Sequence, residues 1–242
     1  MKYFAFIIFA LAVIGCSSDT ESSSDFEVGY DYLPLLDEGS IMLYEIEQTY
    51  FSNNGLDVET SRFFQREEVV FSSVDESGMG SMNVDIFTSE TGGEPWVYNG
   101  AAKIEKNEIQ GITTNKFDDR IISLSFPVQA NKYWNGLSLI GGDYVRNVNG
   151  EDLNFYEGWN FQIESISSSF NGYNDVIEVI QANTENALSR RFSKEIYAKD
   201  IGLIYKEQEV LDTQCISDCE GLQWVDKAQK GMILRKTLIT IE

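Results

Sequence analysis

The stretch Ile41-Met42-Leu43-Tyr44-Glu45-Ile46-Glu47-Gln48-Thr49-Tyr50 alternates between two kinds of side chain. Tyr44, Ile46 and Tyr50 fall on one side, and Glu45, Glu47 and Thr49 on the other. A strand points successive side chains to opposite faces, so a period of two marks a half-buried strand with one wet face. The alternation recurs in Met82–Thr88, where Met82, Val84 and Ile86 interleave with Asn83 and Asp85. Asp175–Gln181 is more apolar, with Val176, Ile177, Val179 and Ile180. Strands with one solvated face belong to antiparallel sheets. Turns are expected at Asn53-Asn54-Gly55, Gly92-Gly93, Asn99-Gly100, Gly141-Gly142, Asn149-Gly150 and Asn171-Gly172, because Asn and Gly tolerate positive φ. The pattern reads as a mainly β fold, one antiparallel sheet with little helix.

Helix signals are sparse. The best is Asn183–Ala198, where Leu188, Phe192 and Ile196 recur every four residues; Arg190–Ala198 reads equally well as a strand feeding Ile201–Leu211. Met232–Ile241 is rich in β-branched residues and reads as a last strand. Residues 212–230 are then an excursion between the last two strands.

At the N-terminus, Lys2 precedes an apolar run, Phe4–Ile14, that closes in Val13-Ile14-Gly15-Cys16. A short positive start, a hydrophobic core and small or branched residues before a cysteine are the layout of a lipoprotein signal. The run is too short for a membrane span, which takes about 20 residues. Removal of residues 1–15 and lipidation of Cys16 (a palmitate-type acyl anchor) follow as expectations. Residues 16–25 form the lipidated cysteine and a flexible tether, since Ser17–Asp25 holds no apolar side chain. Residues 26–242 read as a single β-rich domain. Position 17 is Ser rather than the Asp that favours inner-membrane retention, so the expected address is the outer membrane, with periplasmic or outward facing left open.

Charge excludes more than it selects. The chain carries 39 acidic against 18 basic side chains, a formal net of −21. Such a surface repels phosphate backbones, so no nucleic-acid partner is expected, and attachment to a membrane falls to the lipid rather than to a basic patch. Histidine is absent. That removes Ser-His-Asp and Cys-His catalysis and His-ligated zinc or haem. No cofactor or metal is expected.

With Cys16 assigned to lipid, Cys215 and Cys219 remain, four apart in Asp212–Glu220. In an oxidising compartment this pair reads as a small structural disulfide. Two cysteines with no further Cys or His make a poor metal site.

Several segments together resemble a group of uncharacterised outer-membrane lipoproteins of Bacteroidota. Tyr32-Leu33-Pro34-Leu35, followed by Gly39 and Tyr44-Glu45, is similar to that group's opening Y-F-P-L…G…Y-E box. Ser125-Phe126-Pro127-Val128 with Lys132-Tyr133-Trp134-Asn135-Gly136 is similar to its F-P…W-N-G box. Glu195–Glu207 is similar to its Y-A-K-G-V-G-L-V-Y-K-E box, with Asp200 where Gly is common; Met42 stands where the first box has an aromatic. The resemblance implies a single antiparallel, strongly curved sheet or open half barrel, and no activity. Ser17–Glu21 loosely resembles the acidic export tags of surface lipoproteins of the same phylum. Physically, Pro34 holds the chain extended at its entry to the first strand. Trp134-Asn135-Gly136 reads as a turn with an aromatic packed beside it, and Gly202 as a bulge or tight bend.

Candidate sites are few. Asp118-Asp119 and Glu151-Asp152 are adjacent carboxylate pairs; on a strand they face opposite ways, so they read as solvated turn residues rather than a glycosidase pair. Asn147–Asn154 lacks the alternating acids of a calcium loop. Trp96, beside Pro95 in a Gly-rich region, and Trp224, in the 212–230 excursion, are the candidate ligand-facing aromatics. The expected function is that of a non-enzymatic, membrane-anchored binding or envelope-interaction module, with a glycan or an envelope protein as partner. The alternative is a periplasmic carrier of lipid or lipoprotein acyl chains, and a carboxylate-based polysaccharide hydrolase stands third. An apolar concave face with a gap in its core favours the carrier; a filled core with exposed tryptophans favours the binder.

Overall fold

In a computed structural model that describes residues 28–141, 144–215, 219 and 221–242, the chain is a single antiparallel sheet of twelve strands curled until its edges meet. The first six are β1 (Ile41–Ser52), β2 (Asp57–Val74), β3 (Gly80–Ser89), β4 (Val97–Lys106), β5 (Gln110–Thr114) and β6 (Arg120–Ser125). β7 (Tyr133–Trp134) follows, then a two-stranded hairpin of β8 (Val145–Val148) and β9 (Glu151–Asn154). The sheet resumes with β10 (Phe161–Phe170), β11 (Tyr173–Glu185), β12 (Ser189–Ala198), β13 (Gly202–Asp212) and β14 (Lys230–Ile241). Sheet order is β6-β5-β4-β3-β2-β1-β14-β13-β12-β11-β10-β7. The expected mainly β, strongly curved architecture is what the chain adopts.

Most neighbours in the sheet are also neighbours in sequence, joined by hairpins. Asn149-Gly150 and Asn171-Gly172 are two-residue turns with positive φ at both positions, the geometry that matches strand twist. Asn99-Gly100 is a correction: it lies inside β4, where the register slips between Ile86 and Phe87, and so forms a bulge rather than a turn. Gly142 lies outside the described residues. Gly202 opens β13 at positive φ just after the Ala198–Gly202 turn, and the bulge itself falls two residues on, leaving Ile204 unpaired in the ladder. Asp200, which also has positive φ, occupies the position where glycine is common in the resembling box.

The expected helix over Asn183–Ala198 is the end of β11, a turn, and β12. Asn186 makes the turn, its side-chain oxygen accepting from the N–H groups of Leu188 at 2.8 Å and Ser189 at 2.9 Å. A spacing of four is also a multiple of two. Phe192 and Ile196 therefore share one strand face, with Leu188 in the turn just before it, and Ser189, Arg191, Ser193, Glu195 and Tyr197 point to the other as buried residues. A one-turn helix, α1 (Trp224–Lys227), lies in the 212–230 excursion. The Cys215–Cys219 disulfide closes a short loop there, with 5.8 Å between Cα atoms.

Two segments pack across the barrel's ends, one at each. Residues 28–40, containing a 3-10 turn at Tyr30–Tyr32, cross the end where β1, β3 and β13 begin. Tyr32 and Leu33 bury there, and Lys106 of β4 donates to the Leu33 carbonyl at 2.8 Å and to that of Tyr30 at 3.2 Å. At the opposite end the β8–β9 hairpin and residues 155–159 pack Leu153, Phe155 and Tyr156 against Val210 and Met232. Buried Arg191 ties this cap down, donating to the Asn154 carbonyl at 3.1 Å and pairing with Asp212 at 2.7 Å.

The two sheet edges meet at Trp134-Asn135-Gly136. The Trp134 indole donates to the Ile122 carbonyl of β6 at 2.8 Å, and the Ile122 N–H donates to the Gly136 carbonyl at 2.9 Å. Position 136 must be glycine, because a Cβ there would sit 2.5 Å from the Phe161 ring. The box does open a turn beside a packed aromatic, with the Ser138 N–H donating to the Asn135 carbonyl at 3.4 Å and Trp134 against Phe161, and it is also the seam of the barrel.

Candidate functional site

Register decides which side chains face inward. Across β14, β1, β2 and β3, Leu234 pairs with Gln48, Lys236 with Ile46, Ile46 with Phe63, and Tyr44 with Gln65. Glu67 pairs in turn with Ile86, and Val84 with Ala102. Paired residues share a face. These rows therefore line the concave side, where they enclose a cavity of about 470 Å³. That volume lies within the roughly 300–1,000 Å³ of small-molecule sites. Native cores are packed to leave few voids larger than a water molecule, so a cavity this large inside a small barrel is a departure from ordinary packing.

The lining is mostly apolar. Met42, Ile46, Met82, Val84, Ile86 and Ile104 form the wall of β1, β3 and β4, and Leu33, Pro34 and Leu36 of the plug form the floor. The other end is polar and reaches solvent: Phe117, Asn147 and Asn149 line it and are exposed. Thus the cavity runs from a plugged, greasy floor to a wet mouth between the β5–β6 turn and the β8–β9 hairpin.

Charge inside the cavity opposes the charge of the chain. Its lining carries Lys116, Arg146, Lys206 and Lys236 against Glu67 and Glu195, in a protein of net −21. Three of these cations are matched. Lys236 donates to Glu67 in a short ion pair and sits 3.9 Å from the Tyr44 ring centre, while Gln65 donates to the same carboxylate at 2.6 Å. Lys206 donates to Glu195 at 2.7 Å, and the Tyr197 hydroxyl donates to the other oxygen at 2.5 Å. Burial, followed by the nearby carboxylates, pushes Tyr44 and Tyr197 well above the usual phenol range, so both remain donors. Arg146 forms an ion pair with Asp119, which also accepts from Tyr156 at 2.7 Å and from Asn115 at 3.0 Å.

Lys116 differs from the other three. Among the described residues no carboxylate lies within ion-pair distance of its ammonium. Its charged neighbours are Lys236 and Arg146. Burial first, and then these two cations, hold its pKa below the ordinary lysine value. The side chain lies across the Asn99-Gly100 bulge: a Cβ added at Gly100 would come within 3.1 Å of the Lys116 Cβ. Arg146 has a spare donor as well, since its buried Nε–H finds no acceptor among the described residues.

The residues singled out from sequence fall elsewhere. Trp96 is half-buried outside the cavity, under the Arg66 guanidinium 5.0 Å away. Trp224 packs against Phe51, Leu211 and Ala228, with Lys227 4.1 Å from its ring. The two therefore form no common surface. Asp118 is an exposed turn residue as expected, but Asp119 is 3% exposed and paired, a correction to the solvated reading of that dyad. Cys16 lies outside the described residues. Among them, no group of three or more His, Cys, Asp or Glu side chains is placed to hold a metal. The cavity cations were missed, although parity marks one of them: Lys236 falls in step with Met232, Leu234 and Leu238, a charge on an apolar face.

No protein-family model and no curated protein matches the chain. Among solved structures it is similar to a "putative lipoprotein" from Parabacteroides distasonis ATCC 8503 and to a "putative exported protein with YmcC-like fold" from Bacteroides fragilis NCTC 9343. Each match has 10% identity and a TM-score of 0.41, covering 87% of this chain and 98% of the other.

Proposed function

We propose that this chain is a lipid-anchored protein of the cell envelope whose barrel holds an acyl-type apolar ligand, as a binder or carrier and not as an enzyme. The observation that carries the reading is the cavity of about 470 Å³, walled by Met, Ile and Val side chains. An apolar chain of matching length gains dispersion contacts and loses water contact on entering such a space, which is the usual driving force for lipid-carrying barrels. The anchor rests on the leader that ends at Cys16, and the outer membrane is the address that Ser17 favours. The alternative, a glycan or envelope-protein binder using Trp96 and Trp224, has less support, because both indoles are half-buried and packed against separate parts of the outer surface.

The test is native mass spectrometry of residues 17–242, purified from a periplasm without detergent. A co-purifying mass that extracts into organic solvent supports the carrier reading. A bare polypeptide that also takes up no added long-chain alcohol or fatty acid overturns it.

A further inference from the structure

We infer that the ligand is an anionic amphiphile, whose carboxylate or phosphate head sits at Lys116 in the mouth of the cavity while its apolar tail fills the barrel. This inference rests on the reading of the barrel as a ligand-holding cavity, and adds the chemistry of the head.

Three observations converge on the mouth. First, the cavity has two unlike ends: a floor of Leu33, Pro34 and Leu36, and a mouth of Lys116, Phe117, Asn147 and Asn149. A ligand that suits both ends is itself amphipathic. Second, the charge balance of the lining is unfinished. Lys236, Lys206 and Arg146 have Glu67, Glu195 and Asp119, and only Lys116 of the four cations has no carboxylate within ion-pair distance among the described residues. Lys116 is exposed at the mouth, where an ammonium near two other cations is unfavourable by itself, and an incoming anion relieves that repulsion. Third, the neighbouring Arg146 holds a buried Nε–H without an acceptor. A charge-assisted hydrogen bond to an oxyanion would satisfy such a donor, and a neutral hydroxyl would serve it less well.

The overall charge sharpens the point. A surface of net −21 repels anions at a distance, so an anionic ligand is selected against everywhere except at a site that supplies its own positive field. The mouth is such a site. There Lys116 brings a positive charge without a carboxylate partner among the described residues, beside the paired cations Lys236 and Arg146.

The experiment measures binding of three twelve-carbon probes to residues 17–242: laurate, dodecyl phosphate and dodecanol. Tail length is constant, so differences report the head. Laurate, dodecyl phosphate or both should bind at least about tenfold more tightly than dodecanol, the ordinary scale for a charge-assisted contact. Lys116→Gln should erase that preference and leave dodecanol unchanged, and Lys116→Arg should keep it. Preference for one anionic probe over the other identifies the source as fatty acid or phospholipid-type. Equal binding of all three probes, or a preference that survives Lys116→Gln, overturns the anionic-head inference while leaving the apolar cavity reading intact. If no probe binds at all, the cavity reading fails and this inference fails with it.

Discussion

The indole N–H of Trp134 donates to the main-chain carbonyl of Ile122 at 2.8 Å, and this side-chain bond helps to join the two edges of a twelve-stranded sheet. β6 and β7 are the end strands of the ladder, and β7 is only two residues long. Exposed strand edges invite pairing with other chains, and closure removes them. Replacing Trp134 by Phe keeps a smaller aromatic ring beside Phe161 and deletes the donor. Stability should fall by at least about 1 kcal/mol, the usual net value of one hydrogen bond, with the lost packing added. The sharper readout is local: the Ile122 amide, held by the Gly136 carbonyl at 2.9 Å, should exchange faster than amides in the middle of β1. Unchanged exchange at Ile122 would mean that the seam does not depend on the indole.

Asp119 and its neighbour Asp118 should behave differently although they are chemically alike. Asp118 is exposed at positive φ, a conformation that Asn tolerates, so Asp118→Asn should shift stability by less than about 0.5 kcal/mol. Asp119 is buried against Arg146, Tyr156 and Asn115. Asp119→Asn leaves the Arg146 guanidinium buried without its counter-charge, and loss of one partner from such a pair costs about 3–5 kcal/mol. Adding Arg146→Met should recover part of that loss, because the guanidinium already packs 4.0 Å from the Phe155 ring centre and a thioether fits the same apolar slot. Thermal or urea unfolding of the four proteins checks the pattern; equal effects at 118 and 119 would remove the buried pair from the account.

How far this molecule was legible in its sequence varies by element. Period-two alternation in Ile41–Tyr50 and Met82–Thr88 correctly marked β1 and β3, because those strands have one wet and one dry face. The same rule failed at Asn183–Ala198 for an arithmetic reason. Residues at spacing four share a face in a strand as well as in a helix, and the inward Arg191, Ser193 and Glu195 hid the second face behind polar side chains. The closed seam was not legible either: Trp134-Asn135-Gly136 looked like a turn, since the partner it bonds, Ile122, is known only once the sheet has curled. The candidate site was mostly hidden for the same reason. Lys116, Glu67, Arg146 and Lys236 come from four separate segments, and only the barrel's curvature brings them to one cavity. Trp96 and Trp224 stood out instead, among the rarest large side chains, and both proved to be packed outside the cavity.

If the interior is a ligand site, filling it should separate binding from folding. Val84 faces the cavity from β3 and pairs with Ala102, a small residue that leaves room beside it. Enlarging a residue in a close-packed core costs about 1–3 kcal/mol through strain. Inside a cavity the added ring has somewhere to go. Val84→Phe should therefore hold its unfolding midpoint, or raise it slightly, while affinity for a twelve-carbon ligand falls by about tenfold or more. A protein that loses stability and keeps its affinity would place the ligand elsewhere.

The pH dependence of stability and binding takes its sign from the direction of the Lys116 shift. Burial, then the charges of Lys236 and Arg146, hold the Lys116 pKa below the ordinary 10.5. Facing it are those two cations, each already neutralised by its own partner, Glu67 and Asp119. A cation whose folded pKa is depressed works against folding while it is charged, and that penalty is relieved as pH rises through the folded value toward the unfolded one. Lys116→Gln should accordingly leave the ligand-free protein as stable at pH 7 as the parent or slightly more so. Ligand binding carries the opposite sign. The bound anion favours the charged ammonium, so the preference for laurate over dodecanol should be full at pH 7 and should fade as pH climbs through the depressed pKa, before an ordinary lysine would titrate. Dodecanol binding should stay flat over the same range. Isothermal titration of both probes from pH 7 to 10.5 checks this, and a laurate preference that persists undiminished to the top of the range would assign the head to Arg146 instead, whose guanidinium remains charged throughout.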